Sequence, residues 1–98
     1  MFDAGDQARL HIRVRGRVQA VGFRAHVEDN ARRLGIQGWV RNVGYDVVEA
    51  VAEGARSKLE ILEGVMRTGP LGAHVQEATV EWLDATGEFD EFVVRRSA

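Results

Sequence analysis

Apolar and polar residues alternate strictly from Arg9 to Arg15, with Leu10, Ile12 and Val14 on one side and His11, Arg13 and Arg15 on the other. A period of two with a single apolar side predicts a half-buried β-strand, which Gly16 is expected to end. The period then changes. Phe23, Val27, Ala31 and Leu34 recur at helical spacing with Arg24, Glu28, Asp29, Arg32 and Arg33 between them, which predicts an amphipathic helix. Gly35 follows directly, where a helix commonly ends on a glycine. Ile36 to Arg41 reads as a second strand carrying Trp39. Asn42 to Asp46 reads as a turn and Val47 to Glu53 as a third strand, the two strands forming a hairpin. Gly54 breaks the alternation. Arg56 to Arg67 is a second amphipathic helix with Leu59, Leu62 and Met66 on one stripe, stopped by Gly69-Pro70. His74 to Leu83 is a fourth strand with Ala78, Val80 and Trp82 toward the core. After a loop at Ala85-Thr86-Gly87-Glu88, a last strand is expected around Phe92 and Val94.

The order is β-α-β-β-α-β with a terminal strand piece. Each helix has one apolar stripe, so both must cover the same face of one sheet. The expected fold class is therefore α+β: a ferredoxin-like βαββαβ sandwich, an antiparallel sheet with two helices on one face. Residues 1–8 are expected to be a flexible N-terminus and residues 9–98 a single domain. The arrangement hosts many functions, so function has to be read from a site.

Composition narrows the classes. With 98 residues, 45% apolar and 29% charged, the chain can build one core and is not of disordered type. The formal net charge is -2, so no global basic field attracts nucleic acid or an anionic membrane. The absence of cysteine excludes disulfides, a thiolate nucleophile and a thiolate metal site. No apolar run approaches the ~18 residues of a membrane span. Met1 to Gln7 lacks the basic-then-apolar pattern of a secretory leader, so a cytoplasmic location is expected. A monomer is the default expectation.

The candidate chemistry gathers at Gly16-Arg17-Val18-Gln19-Ala20-Val21-Gly22-Phe23-Arg24, between the first strand and the first helix. A strand feeding a helix through a glycine-bracketed turn presents free N–H groups and the positive end of the helix dipole, which together suit an anion. Arg24 falls in the first helical turn, where its planar fork of donors can reach back over the loop to a pair of phosphate oxygens. No carboxylate lies within the loop. Asn42 has two readings, a turn residue or an amide that holds a water; asparagine can donate and accept but is no base at neutral pH. His11, His26 and His74 are scattered without metal-ligand spacing, and the acidic residues show no paired-carboxylate signal. Trp39 and Trp82 are expected in the core. Arg13 and Arg15 would lie on the sheet face away from the helices, but an RNA-binding sheet stacks bases on exposed aromatics and the first strand offers none.

The stretch Gly16 to Arg24 resembles the signature loop of the acylphosphatases, G-x-V-Q-G-V-x-F-R. Gly38-Trp39-Val40-Arg41-Asn42, followed by Val48 and Gly54, is similar to that family's second signature. The tail Gly69-Pro70, Val80-Glu81-Trp82 and Thr86-Gly87-Glu88-Phe89 is similar to small bacterial and archaeal members. The resemblance spans about Arg9 to Val94. It implies hydrolysis of the carboxyl–phosphate bond of a small-molecule acyl phosphate, giving a carboxylate and inorganic phosphate. It further implies that Arg24 binds the phosphoryl group together with backbone N–H groups of Gln19, Ala20, Val21, Gly22 and Phe23, and that Asn42 positions the attacking water, with no metal and no cofactor. Ala20 and Asp46 stand where the family usually has glycine. If the backbone at Ala20 needs φ > 0, alanine costs roughly 1 kcal/mol or more there. Two alternatives stand beside the enzyme: a module that binds phosphate or an acyl phosphate without turnover, and a nucleic-acid-binding domain of the same fold. Retention of both Arg24 and Asn42 favours catalysis over the first, and the acidic net charge disfavours the second.

Overall fold

The computed structural model of the chain describes residues 6–98. The elements are β1 (Gln7–Arg17), α1 (Phe23–Arg33), β2 (Gln37–Val43), β3 (Val47–Ala55), α2 (Arg56–Thr68), β4 (His74–Asp84) and β5 (Phe92–Val94). They form one five-stranded sheet in the order β4-β1-β3-β2-β5 with both helices on one face, the ferredoxin-like α+β arrangement. Among the described residues no helix is long and apolar enough to cross a membrane. Residues 1–5 of the expected flexible segment lie outside the described residues, while Gln7 and Ala8 are paired with Ala55 and Gly54 at the start of β1.

Alternation decides the sheet's two faces. Leu10, Ile12 and Val14 of β1 lie opposite Ala52, Ala50 and Val48 of β3, and all six are fully buried toward the helices. Phe23, Val27 and Ala31 of α1 and Leu59, Leu62 and Met66 of α2 close over them. Ala78, Val80 and Trp82 pack against this core as expected, but only half-buried, because β4 is an edge strand. Helix α1 ends as its glycine predicts. Ile36 N–H donates to Ala31 O at 2.9 Å and Gly35 N–H to Arg32 O at 3.2 Å, with Gly35 at φ 71°. This paired closure satisfies carbonyls that the helix end would otherwise leave open.

Four expectations are corrected. The sheet is mixed, not purely antiparallel: β5 runs parallel to β2, with Gly38, Trp39 and Val40 opposite Phe92, Val93 and Val94. Gly16 does not end β1. The strand runs on to Arg17 through an irregularity between Arg15 and Gly16, at φ 141°, and a Cβ there would collide with the His74 carbonyl oxygen. Asn42 and Val43 belong to β2, paired with Val48 and Val47, so the turn is only Gly44 to Asp46. Trp39 is not in the core. It lies half-buried with the Arg41 and Arg95 guanidinium carbons 4.9 and 4.8 Å from its ring centroid.

The face away from the helices is charged yet partly buried. Glu49 and Glu53 of β3 are 4% and 5% exposed. Glu49 takes hydrogen bonds from His11 Nε2 at 2.6 Å and Arg41 Nε at 2.9 Å, with Arg13 Nε at 3.3 Å. Glu53 accepts from Arg9 Nε at 2.7 Å and from the Thr86 and Gly87 N–H groups, each at 2.9 Å. Burial pushes both carboxyls up, but these donors outweigh it and hold both below the usual carboxylate range.

Candidate active site

The site forms where β1 gives way to α1. Val18 is fully buried and anchors the loop to the core. Beyond it the chain turns through Ala20 at φ 61° and Gly22 at φ 76°, both left-handed. Ala20 is the one non-glycine residue with positive φ among the described residues. Left-handed residues in a short loop rotate peptide planes so that N–H groups can converge on an anion. Gly22 is also the N-cap of α1, and no side chain caps the helix. The first helical bond runs from His26 N–H to Gly22 O at 3.0 Å. The N–H groups of Phe23, Arg24 and Ala25 therefore have no intrahelical acceptor. Among the described residues no backbone hydrogen bond engages the N–H groups of residues 19 to 25.

A cleft of about 250 Å³ opens over this loop, lined by Val18, Gln19, Ala20, Gly22, Phe23, Arg24, Ala25, Asn42 and Val94. It brings together Arg24, Asn42 and every expected loop residue except Val21, whose side chain turns to the core and leaves only its main chain to the loop. None of its lining residues is a carboxylate. Arg24 is half-buried, and its nearest protein acceptor is the Arg95 carbonyl, 3.5 Å from Nη1. Among the described residues it makes no ion pair. Asn42 is half-buried, and among the described residues its side-chain amide has no hydrogen-bond partner. A guanidinium with one long bond to a carbonyl and no ion pair, an unpaired amide and a run of residues whose N–H groups have no backbone acceptor therefore line one cavity.

Two contributions to this wall are absent from the sequence reading. The segment after β5 continues beside β2: Arg95 N–H donates to Val40 O at 2.8 Å, Ala98 N–H to Asn42 O at 2.9 Å, and Gly44 N–H to Ala98 O at 3.1 Å. Asn42 is thus held by β3 on one edge and by this segment on the other, while Val94 closes the cleft. The second is the Gln19 side chain, whose amide reaches the β2–β3 turn instead of the cavity. The pairing of the last segment has no local signal, because it depends on β5 finding β2 across the chain. Gln19 carried a signal only in being a long amide beside a turn.

The acylphosphatase family model matches residues 10–94. The chain belongs to the acylphosphatase family. An acylphosphatase of Anaeromyxobacter sp. is 50% identical over 88 residues, covering 90% of this chain and 95% of the relative. One from Salinibacter ruber is 43% identical over 95 residues, covering 97% and 100%. The structure of an acylphosphatase from Coxiella burnetii superposes with a TM-score of 0.86 at 34% identity, covering 93% of this chain and 95% of that one. The β1–α1 loop and the residues that line the cleft, Arg24 and Asn42 among them, all lie inside the matched span.

Proposed function

We propose that the cleft carries out the family's hydrolysis of acyl phosphates with Arg24 and Asn42 in separate roles. The Arg24 guanidinium and the loop N–H groups hold the phosphoryl oxygens, and the Asn42 amide orients a water toward phosphorus. The water oxygen forms a new bond to phosphorus as the bond from phosphorus to the carboxyl oxygen breaks. The carboxylate leaves with the bonding electron pair, and the water's proton passes to a phosphoryl oxygen. A mixed anhydride is already activated and its leaving group is a weak base, so holding, charge stabilisation and alignment supply most of what the reaction needs. Asn42 takes no proton.

The observation that carries this reading is the convergence of Arg24, Asn42 and the unbonded loop amides on one cleft without a carboxylate. The test is hydrolysis of benzoyl phosphate with chelator present, wild type beside Arg24→Ala. Turnover by the wild type that falls about a thousandfold in the variant is expected, the cost of removing one main oxyanion donor or somewhat more. Phosphate binding by the wild type without turnover would overturn the catalytic reading and leave a binding module.

A further inference from the structure

The two halves of the cleft follow strands that are not paired with each other, although α1 itself packs on β2. Arg24 and the loop amides follow β1, Asn42 lies one residue before the end of β2, and β3 lies between those strands. Something has to fix their separation, because alignment of a water against a held phosphoryl group tolerates little error. Gln19 spans the gap. Its Nε2 lies 2.9 Å from Val47 O, 3.2 Å from Gly44 O and 3.4 Å from Val43 O. These carbonyls belong to the start of β3, the turn and the end of β2, so one amide holds the closed end of the hairpin. Val43 adjoins Asn42 in the chain. A backbone bond from Gly16 N–H to Asp46 O at 3.0 Å ties the same turn to the last residues of β1, just before the loop.

We propose that Gln19 is a positioning residue: its side-chain amide locks the hairpin that carries Asn42 to the phosphate-holding loop and so sets where the water stands. This rests on the reading of Asn42 as the water-orienting residue. The residue type fits the task. Two N–H donors on one nitrogen can serve acceptors on both sides of a turn, and a neutral amide brings no negative charge to a cleft that holds an anion. Glutamate has the same shape but no donor when ionised, and lysine would add a second cation beside Arg24.

Gln19→Met keeps the length and removes the donor. The expected result with benzoyl phosphate is a kcat lowered about ten- to a hundred-fold, with inhibition by inorganic phosphate within about twofold of wild type, since Arg24 and the helix N–H groups are untouched. The deciding measurement is the double variant with Asn42→Ala. If Gln19 acts through Asn42, Gln19→Met lowers the residual rate of Asn42→Ala by less than about twofold, because coupled residues are not additive. An undiminished penalty in that background overturns the proposal, as does a loss of phosphate inhibition in step with kcat. Gln19→Asn, too short to reach Val47 O, must reproduce the kcat loss, and it carries the test if Gln19→Met does not fold. The underlying reading fails separately: full turnover by Asn42→Ala refutes the role of Asn42 whatever Gln19 does.

Discussion

Ala20 gives the sharpest test of how this loop is built. It is exposed, lines the cleft and holds φ 61°. An L-residue in the left-handed region pays about 1–2 kcal/mol for the approach of its Cβ to the following carbonyl. Ala20→Gly removes that strain. It also frees the unfolded chain, which costs about 0.5–1 kcal/mol of folding stability. The methyl is exposed, so little apolar burial is lost with it. The difference favours glycine by up to about 1.5 kcal/mol, with a midpoint of about 0.75 kcal/mol, which for a domain of this size raises the melting temperature by roughly 3–6 °C. Thermal unfolding of the two proteins in phosphate-free buffer measures this directly. A melting temperature that stays the same or falls would refute the strain argument, for it would mean that the loop relaxes around alanine or that the methyl makes a contact that offsets the strain. Activity in Ala20→Gly should be equal or higher, because the same backbone shape remains reachable. A large loss of turnover with raised stability would instead assign the methyl a part in restricting the loop to its anion-holding form.

Two further outcomes follow from the site and the sheet. Asn42→Ala should retain competitive inhibition by inorganic phosphate while kcat falls by two orders of magnitude or more, because anion holding and water placement rest on different residues; equal loss of both would merge the two roles. Glu49 and Glu53 have depressed folded-state pKa values, so their contribution to stability is complete above the ordinary carboxylate range of about 4.5 and is lost as pH falls through it toward the folded values. The wild type's melting-temperature advantage over Glu53→Gln should therefore shrink as pH falls from 7 to 3, and an advantage independent of pH would contradict the assignment.

The element order was legible because burial on one side leaves its period in the sequence. Leu10, Ile12 and Val14 could face only the helices, and the stripes of α1 and α2 could face only the sheet. The β1–α1 loop was legible as a candidate site because glycine placement and a following arginine are local features. Asn42 was misplaced in the turn because asparagine and glycine close together read as a turn, although the backbone reverses only at Gly44. Trp39 was assigned to the core on its size. It alternates with Gly38 and Val40 and so falls on the outer face, where two guanidinium groups cover it. The burial of Glu49 and Glu53 was not legible at all. A carboxylate reads as exposed until the distant Arg9, His11, Arg41 and Thr86 that satisfy it are brought beside it.

The distribution of ion pairs explains how a chain of net charge -2 leaves this cleft without a carboxylate. Most arginines are spoken for: Arg9 by Glu53, Arg13 and Arg41 by Glu49, Arg15 by Glu77, and Arg32, Arg33, Arg56 and Arg67 by acids one helical turn away. Arg24 stands in the first turn of α1, and that turn holds no acid. The usual arrangement at a helix start is the reverse, acids near the N-terminus to meet the dipole. Their absence leaves the helix without that stabilisation and without a side-chain cap, so the dipole, the free N–H groups and the guanidinium remain for a ligand. A carboxylate in that turn would satisfy the same donors from within the chain and compete with a phosphoryl group for each of them. The acids are instead placed on the outer sheet face and along the helices, where they secure the strands and helices that frame the cleft while contributing no side chain to its lining.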